Sequence, residues 1–192
     1  IHVQLFKIFG FNPPKYAHLS PIMKQEGDTK RKLSKRKDPE AAVEYYKKEG
    51  IPADSVKEYL LNIASSSFET WRRQNPAVPM NEYDLQLNKM SVSGALFDMV
   101  KLLDVSKIVI SKYSAEEVYN EALNWAKTFD KELESLLQED KEYTLKVLGI
   151  ERGNEKPRKD IAKWSDLKEN ISYMYDEEFK KIEPDYELQK IT

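Results

Sequence analysis

Between Ala95 and Ile171 the apolar residues recur at intervals of three and four, the spacing of one helix face, and this commits more than a third of the chain to packed helices. The stretch divides into Ala95 to Leu103, Val105 to Lys112, and a helix opened by Ser114-Ala115-Glu116-Glu117. In that tetrad the serine hydroxyl and the second glutamate each satisfy a backbone N–H that a helix start leaves orphaned. Val118, Ala122, Trp125, Ala126 and Phe129 form its buried stripe. Asp130 and Asp140 read as further N-caps, ahead of Leu133, Leu136, Leu137 and of Tyr143, Leu145, Val147, Leu148. Gly149 and Gly153 bracket a polar loop ending at Pro157, and Ser165 caps a last helix through Ile171 and Tyr175. The acidic tail from Asp176 to Thr192 is expected to fray or lead into further chain.

The first part is more broken. Val3, Leu5, Phe6, Ile8 and Phe9 suit a short helix closed by Gly10 and followed by Pro13-Pro14. Tyr16-Ala17-His18-Leu19 and Ile22-Met23 read as short extended pieces, and Lys24 to Lys37 as a polar loop. Asp38-Pro39-Glu40 supplies an N-cap, a proline at the first helical position and a first-turn acid for a helix of Ala41, Ala42, Val43, Tyr45 and Tyr46, stopped by Gly50. Val56, Tyr59, Leu60, Ile63 and Ala64 mark the next helix. Ser66 to Pro79 looks looser, and a domain junction is expected near Asn75 to Asp84.

Composition narrows the chemistry. There is no cysteine and there are two histidines, which removes thiolate zinc sites, thiol nucleophiles and histidine-rich metal centres and fits a reducing, cytoplasmic setting. No apolar run approaches the roughly 20 residues of a membrane span. The 31 Lys and Arg nearly balance 33 Asp and Glu, so any polyanion partner must be read from local clustering. The first residues lack both Met and a signal-peptide pattern, as a portion of a longer protein would.

Such clustering occurs twice. Lys24 to Lys37 holds seven cations against two acids, and Lys32-Leu33-Ser34-Lys35-Arg36 stands just ahead of the proline-opened helix, whose free N–H groups would favour an anion. That arrangement suits a triphosphate; the alternative is a solvated basic loop. Arg152 to Lys163 holds five cations against two acids beside Trp164. It admits phosphate contact, which positions a nucleic acid without reading its sequence, or a solvated loop with Trp164 as core anchor. Arg72-Arg73 beside Trp71 could grip phosphate or pair with nearby acids. Tyr173 to Tyr175 reads as core rather than a base-stacking platform.

The five residues Lys32 to Arg36 resemble the KMSKS signature of class I aminoacyl-tRNA synthetases, in the KLSKR form of bacterial-type glutamyl-tRNA synthetases. The resemblance extends upstream through His2-Val3-Gln4-Leu5-Phe6, Phe9-Gly10 and Tyr16-Ala17-His18-Leu19. Downstream it runs through Lys37-Asp38-Pro39-Glu40-Ala41-Ala42-Val43, Glu58-Tyr59-Leu60-Leu61-Asn62, Ser93 to Asp98, Asp104 to Lys107 and Lys156 to Asp160, covering nearly the whole chain. It implies a mainly α-helical protein: residues 1–80 would end the catalytic domain and include its stem-contact region, and residues 81–192 would form a helical tRNA-binding region. A close relative, glutaminyl-tRNA synthetase, carries a β-barrel anticodon-binding part, so the helical periodicity favours the glutamyl enzyme.

The resemblance further implies that the parent enzyme joins glutamate to ATP, giving glutamyl-adenylate and pyrophosphate, and passes the glutamyl group to the 3' end of tRNA(Glu). Lys35 would contact the ATP phosphates and stabilise charge as pyrophosphate leaves, Lys32 would assist, and Ser34 would organise the loop. Arg72, Arg73, Lys156, Arg158 and Lys159 would touch tRNA. Magnesium would accompany ATP, with no metal site in this chain; glutamate would be held by the part preceding Ile1, and a monomer is expected. The HIGH signature, normally N-terminal to this region, is absent; His18 lacks the following Gly-His and reads as structural. This chain alone is therefore expected not to aminoacylate. The other open reading is a non-catalytic tRNA-binding helical module.

Overall fold

Side-chain caps set the helix boundaries in the C-terminal half of the computed structural model, which describes residues 1–90 and 93–181. Ser114 Oγ accepts from the Glu117 N–H (3.2 Å) and the Glu117 carboxylate accepts from the Ser114 N–H (2.7 Å), opening α6 (Ala115–Phe129) with the expected reciprocal pair. Asp130 and Asp140 cap α7 (Lys131–Glu139) and α8 (Lys141–Gly149). Ahead of them runs α5 (Met99–Ser111). Their apolar faces, with Ile161, Trp164, Leu167, Ile171 and Tyr175 from the following segment, close one core.

A smaller core holds Ile51, Tyr59 and Leu102, with Tyr46, Val56, Ile63 and Phe97 packed against it. It joins α2 (Val43–Glu49), α3 (Ala53–Ala64) and the first half of α5. Because α5 gives Leu102 to this core and Ile110 to the other, one helix links the two; burying a leucine is worth roughly 1.5–3 kcal/mol. A second seam sits at the end of α2. There the Trp164 N–H donates to Gly50 O (2.9 Å), Trp125 Nε1 donates to Lys47 O (2.9 Å), and Lys163 pairs with Glu49 (2.8 Å).

Several expectations give way. The helix foreseen from Ala95 begins only at Met99, because residues 95–97 lie extended beside Met23: the Met23 N–H donates to Ala95 O and the Phe97 N–H to Met23 O, both at 2.8 Å. From there α5 continues unbroken through Val105. Ser66 to Gln74 is a helix, α4, rather than a loose stretch, since Phe68 and Trp71 pack with Tyr83 (ring centroids 5.0 and 5.2 Å away). In α6 the buried side is Val118, Tyr119, Ala122 and Ala126; Phe129, expected inside, is 48% exposed. Ser165 does not cap a helix but donates its hydroxyl to Glu49 O (2.9 Å). The last helix is broken into a 3-10 turn at Trp164–Asp166, α9 (Leu167–Ile171), a second turn at Ser172–Met174 and α10 (Asp176–Phe179). Tyr175 is buried, as expected, whereas Tyr173 is exposed.

At the other end, α1 (His2–Ile8) closes through Gly10, at φ 71°, with the Phe11 N–H returning to Phe6 O (2.9 Å). Tyr16 to Leu19 forms no strand, and His18 is exposed. Residues 182–192 of the acidic tail lie outside the described residues. Among the described residues no helix is long and apolar enough to cross a membrane.

Candidate functional site

The expected polar loop is largely a hairpin. Strand β1 (Met23–Glu26) pairs antiparallel with β2 (Thr29–Lys32) in the register Met23↔Lys32, Lys24↔Arg31, Gln25↔Lys30, Glu26↔Thr29. Gly27, at φ 58°, takes the first place of the two-residue turn, where a left-handed backbone is required. The register puts Lys24 directly opposite Arg31 on one face. Two cations so placed repel unless an anion stands between them.

Asp38 is that anion. Its carboxylate, 1% exposed, accepts two hydrogen bonds from the Arg31 guanidinium (2.6 and 2.8 Å), one from the Ser34 N–H (2.8 Å), and lies 3.0 Å from Lys24 Nζ. Arg31 also reaches Glu26 (2.8 Å) and Lys24 pairs with Glu40. The Arg31 guanidinium, then the Ser34 N–H and Lys24, hold the Asp38 carboxyl well below the usual carboxylate range against the opposing effect of burial. Glu40 and Asp38 in turn push the Lys24 ammonium up.

This corrects the reading of Asp38 as an N-cap. Pro39–Ala41 forms a three-residue 3-10 turn with no side-chain cap, and α2 starts only after Ala42. The start of α2 is therefore set off from the signature residues by the 3-10 turn and Ala42. Ser34 is the pivot of the turn: its carbonyl accepts from the N–H groups of Lys37 (3.0 Å) and Asp38 (2.8 Å), and its hydroxyl from that of Arg36 (3.4 Å). The closed turn leaves Lys30, Lys32, Lys35, Arg36 and Lys37 exposed, without an ion-pair partner among the described residues. Of the seven cations, two lock the frame and five face solvent. Such a surface offers electrostatic capture of a compact polyanion.

The other basic residues divide in the same way. Arg72, 14% exposed, pairs through Nε with Glu58 (2.7 Å), donates through Nη1 to Asn75 O (3.0 Å) and Val78 O (2.5 Å), and lies 5.0 Å from the Trp71 ring centre. It is spent inside the fold; Arg73 is exposed and, among the described residues, unpaired. Arg152 donates to Leu148 O (2.7 Å) and Ile110 O (2.8 Å), tying the ends of α8 and α5, and Arg158 pairs with Asp160 (2.7 Å). Lys156 and Lys159 are exposed and unpaired among the described residues. Trp164 is buried as the core anchor. Sequence spacing missed Asp38, Arg31 and Lys24 as a unit; the signal was an acid four residues after a serine, preceded by a two-residue Gly-Asp turn that sets which cations face each other.

No family model matches the chain. It is 52% identical over 191 residues to the glutamate–tRNA ligase of Clostridium perfringens (strain 13 / Type A), covering 99% of this chain and 35% of that protein. It is 48% identical over 197 residues to the glutamate–tRNA ligase of Sorangium cellulosum (strain So ce56), covering 95% and 34%. The chain thus spans about a third of the length of the curated relatives it matches. In fold it is similar to a crystal structure of a glutamate tRNA ligase from Elizabethkingia meningosepticum in complex with its amino acid, with TM-score 0.59 and 22% identity over 90% of this chain and 34% of that one. The mainly α-helical class is shared with the matched third of that structure.

Proposed function

Since the chain belongs to the glutamate–tRNA ligase family, we propose that the whole protein activates glutamate with ATP and transfers it to tRNA(Glu), and that this portion supplies the ATP-phosphate loop and tRNA contacts. In the first step a glutamate carboxylate oxygen bonds to the α-phosphorus of ATP and pyrophosphate leaves. In the second a terminal ribose hydroxyl of tRNA takes the glutamyl group and AMP leaves. ATP enters as its magnesium complex.

The observation that carries this reading is the turn around Ser34, shaped by its own hydrogen bonds, with Lys32 and Lys35 left exposed and, among the described residues, unpaired. Lys35 meets the charge that builds as pyrophosphate departs and Lys32 adds to the same field, a stabilisation realised as the bond breaks. Ser34 holds the turn and binds phosphate through its hydroxyl. Arg73, Lys156 and Lys159 contact the tRNA backbone, whereas Arg72 and Arg158 are withdrawn from that role by Glu58 and Asp160. Residues 1–80 serve the catalytic domain and its stem contact, those from 81 onward the tRNA, in a monomeric cytoplasmic enzyme.

Charging of tRNA(Glu) by the whole protein with glutamate, ATP and magnesium tests the proposal. Glutamyl-tRNA and pyrophosphate should form together. Tight tRNA binding without ATP-dependent charging would replace it with a non-catalytic tRNA-binding module.

A further inference from the structure

Five cations within residues 30–37 are unpaired among the described residues, and their mutual repulsion favours an opened turn when no anion is bound. Beyond the turn's own hydrogen bonds to Ser34, what ties it to the rest of the fold is one carboxylate. Asp38 is almost fully buried and joins Lys24 of β1, Arg31 of β2 and the backbone of Ser34 in the turn itself. Lys24 extends the network to Glu40, and the Tyr46 hydroxyl donates to Glu40 O, so the turn is referred back to α2 as well.

From this convergence we infer that Asp38 is the positioning residue of the phosphate loop: by holding the Ser34 turn closed before ATP arrives, it fixes where the Lys35 ammonium stands. It touches no substrate and acts through Lys35, and the inference rests on the assignment of Lys35 to ATP given above. A cation that must meet charge developing at one oxygen loses most of its effect when displaced by about 1 Å. An amide at position 38 would keep an acceptor for the Ser34 N–H. It would also remove the countercharge from between Lys24 and Arg31 and turn an N–H toward one of them. The frame would loosen while the exposed lysines stayed in place.

The test is a double-mutant cycle in the whole protein, read by glutamate-dependent exchange of pyrophosphate into ATP. Asp38→Asn should lower kcat roughly 10- to 100-fold while KM for glutamate and the affinity for tRNA stay unchanged. In a Lys35→Ala background the same substitution should cost nothing further. An equal loss in both backgrounds, or no loss in either, overturns the inference. If Asp38→Asn does not fold, Arg31→Lys, which keeps one donor to the carboxylate, goes through the same cycle, and multiplicative losses with Lys35→Ala again overturn it. Absence of glutamate-dependent exchange in the unmodified protein is a different failure: it removes the functional reading itself, and the inference with it.

Discussion

The guanidinium of Arg72 is held by Glu58, two backbone carbonyls and two aromatic rings, while Arg73, its neighbour in the chain, is exposed with no partner among the described residues. Their substitutions should separate cleanly. Arg72→Ala leaves the Glu58 carboxylate, 6% exposed, uncompensated and should cost roughly 3 kcal/mol of stability, the scale for breaking a buried ion pair. Arg73→Ala should leave the melting temperature unchanged and reduce by about 1 the slope of log affinity for tRNA against log salt. Melting curves and salt titrations check both; the reverse pattern would show the roles exchanged. Gly50 is a second residue with no freedom. Its φ is 77°, and a Cβ there would stand 2.9 Å from Trp164 Cβ and 3.0 Å from Trp125 Cε2, so Gly50→Ala should cost roughly 2 kcal/mol or more by calorimetry. Only its place at the end of α2 was readable in the sequence, because the two tryptophans that crowd it come from distant segments.

Elements whose ends are set by their own side chains were the most legible. Ser114, Asp130 and Asp140 announce α6, α7 and α8 because a cap is a local interaction between neighbours in sequence. Ser114→Ala should lower stability by about 1 kcal/mol; an unchanged melting temperature would mean the capping box carries no net stability. The hairpin β1–β2 was not legible. Its inward face presents Lys24 and Arg31 to an acid instead of apolar residues to a core, so no alternating hydrophobic pattern marks it. Asp38 was misread for the converse reason: Asp-Pro-Glu is a strong local helix-start pattern, and tertiary ion pairs claimed the carboxylate. The aromatic hydroxyls of the packed helices add an alkaline limit. Burial pushes Tyr46 and Tyr113 up to about 12. A group whose value is raised on folding stabilises fully below its unfolded value, about 10, and that contribution falls as pH climbs toward 12. Thermal melts should therefore drop between pH 10 and 12, less steeply in Tyr113→Phe; an identical fall in that variant would remove Tyr113 as a contributor.

At the scale of the whole molecule, α5 and the Gly50 seam fasten the segment carrying the Lys32 to Arg36 turn to the helical core. The hairpin and its turn are thus tied through Asp38 and Glu40 to Tyr46 of α2, and α2 through Gly50, Lys47 and Glu49 to Trp164, Trp125 and Lys163. The mainly α-helical class and the family were both legible, the first from periodicity and the second from the resemblance of Lys32 to Arg36 and its flanks. Which cations are available to a ligand was not, because availability depends on where Glu58, Asp160 and Asp38 arrive in space. The central claim is that Lys35, unpaired among the described residues, acts on ATP phosphates during glutamate activation. The direct measurement is glutamate-dependent pyrophosphate exchange by the whole protein with Lys35→Ala. The account predicts a loss of about 10² to 10³ in rate, with tRNA affinity little changed; exchange at the unmodified rate would contradict it.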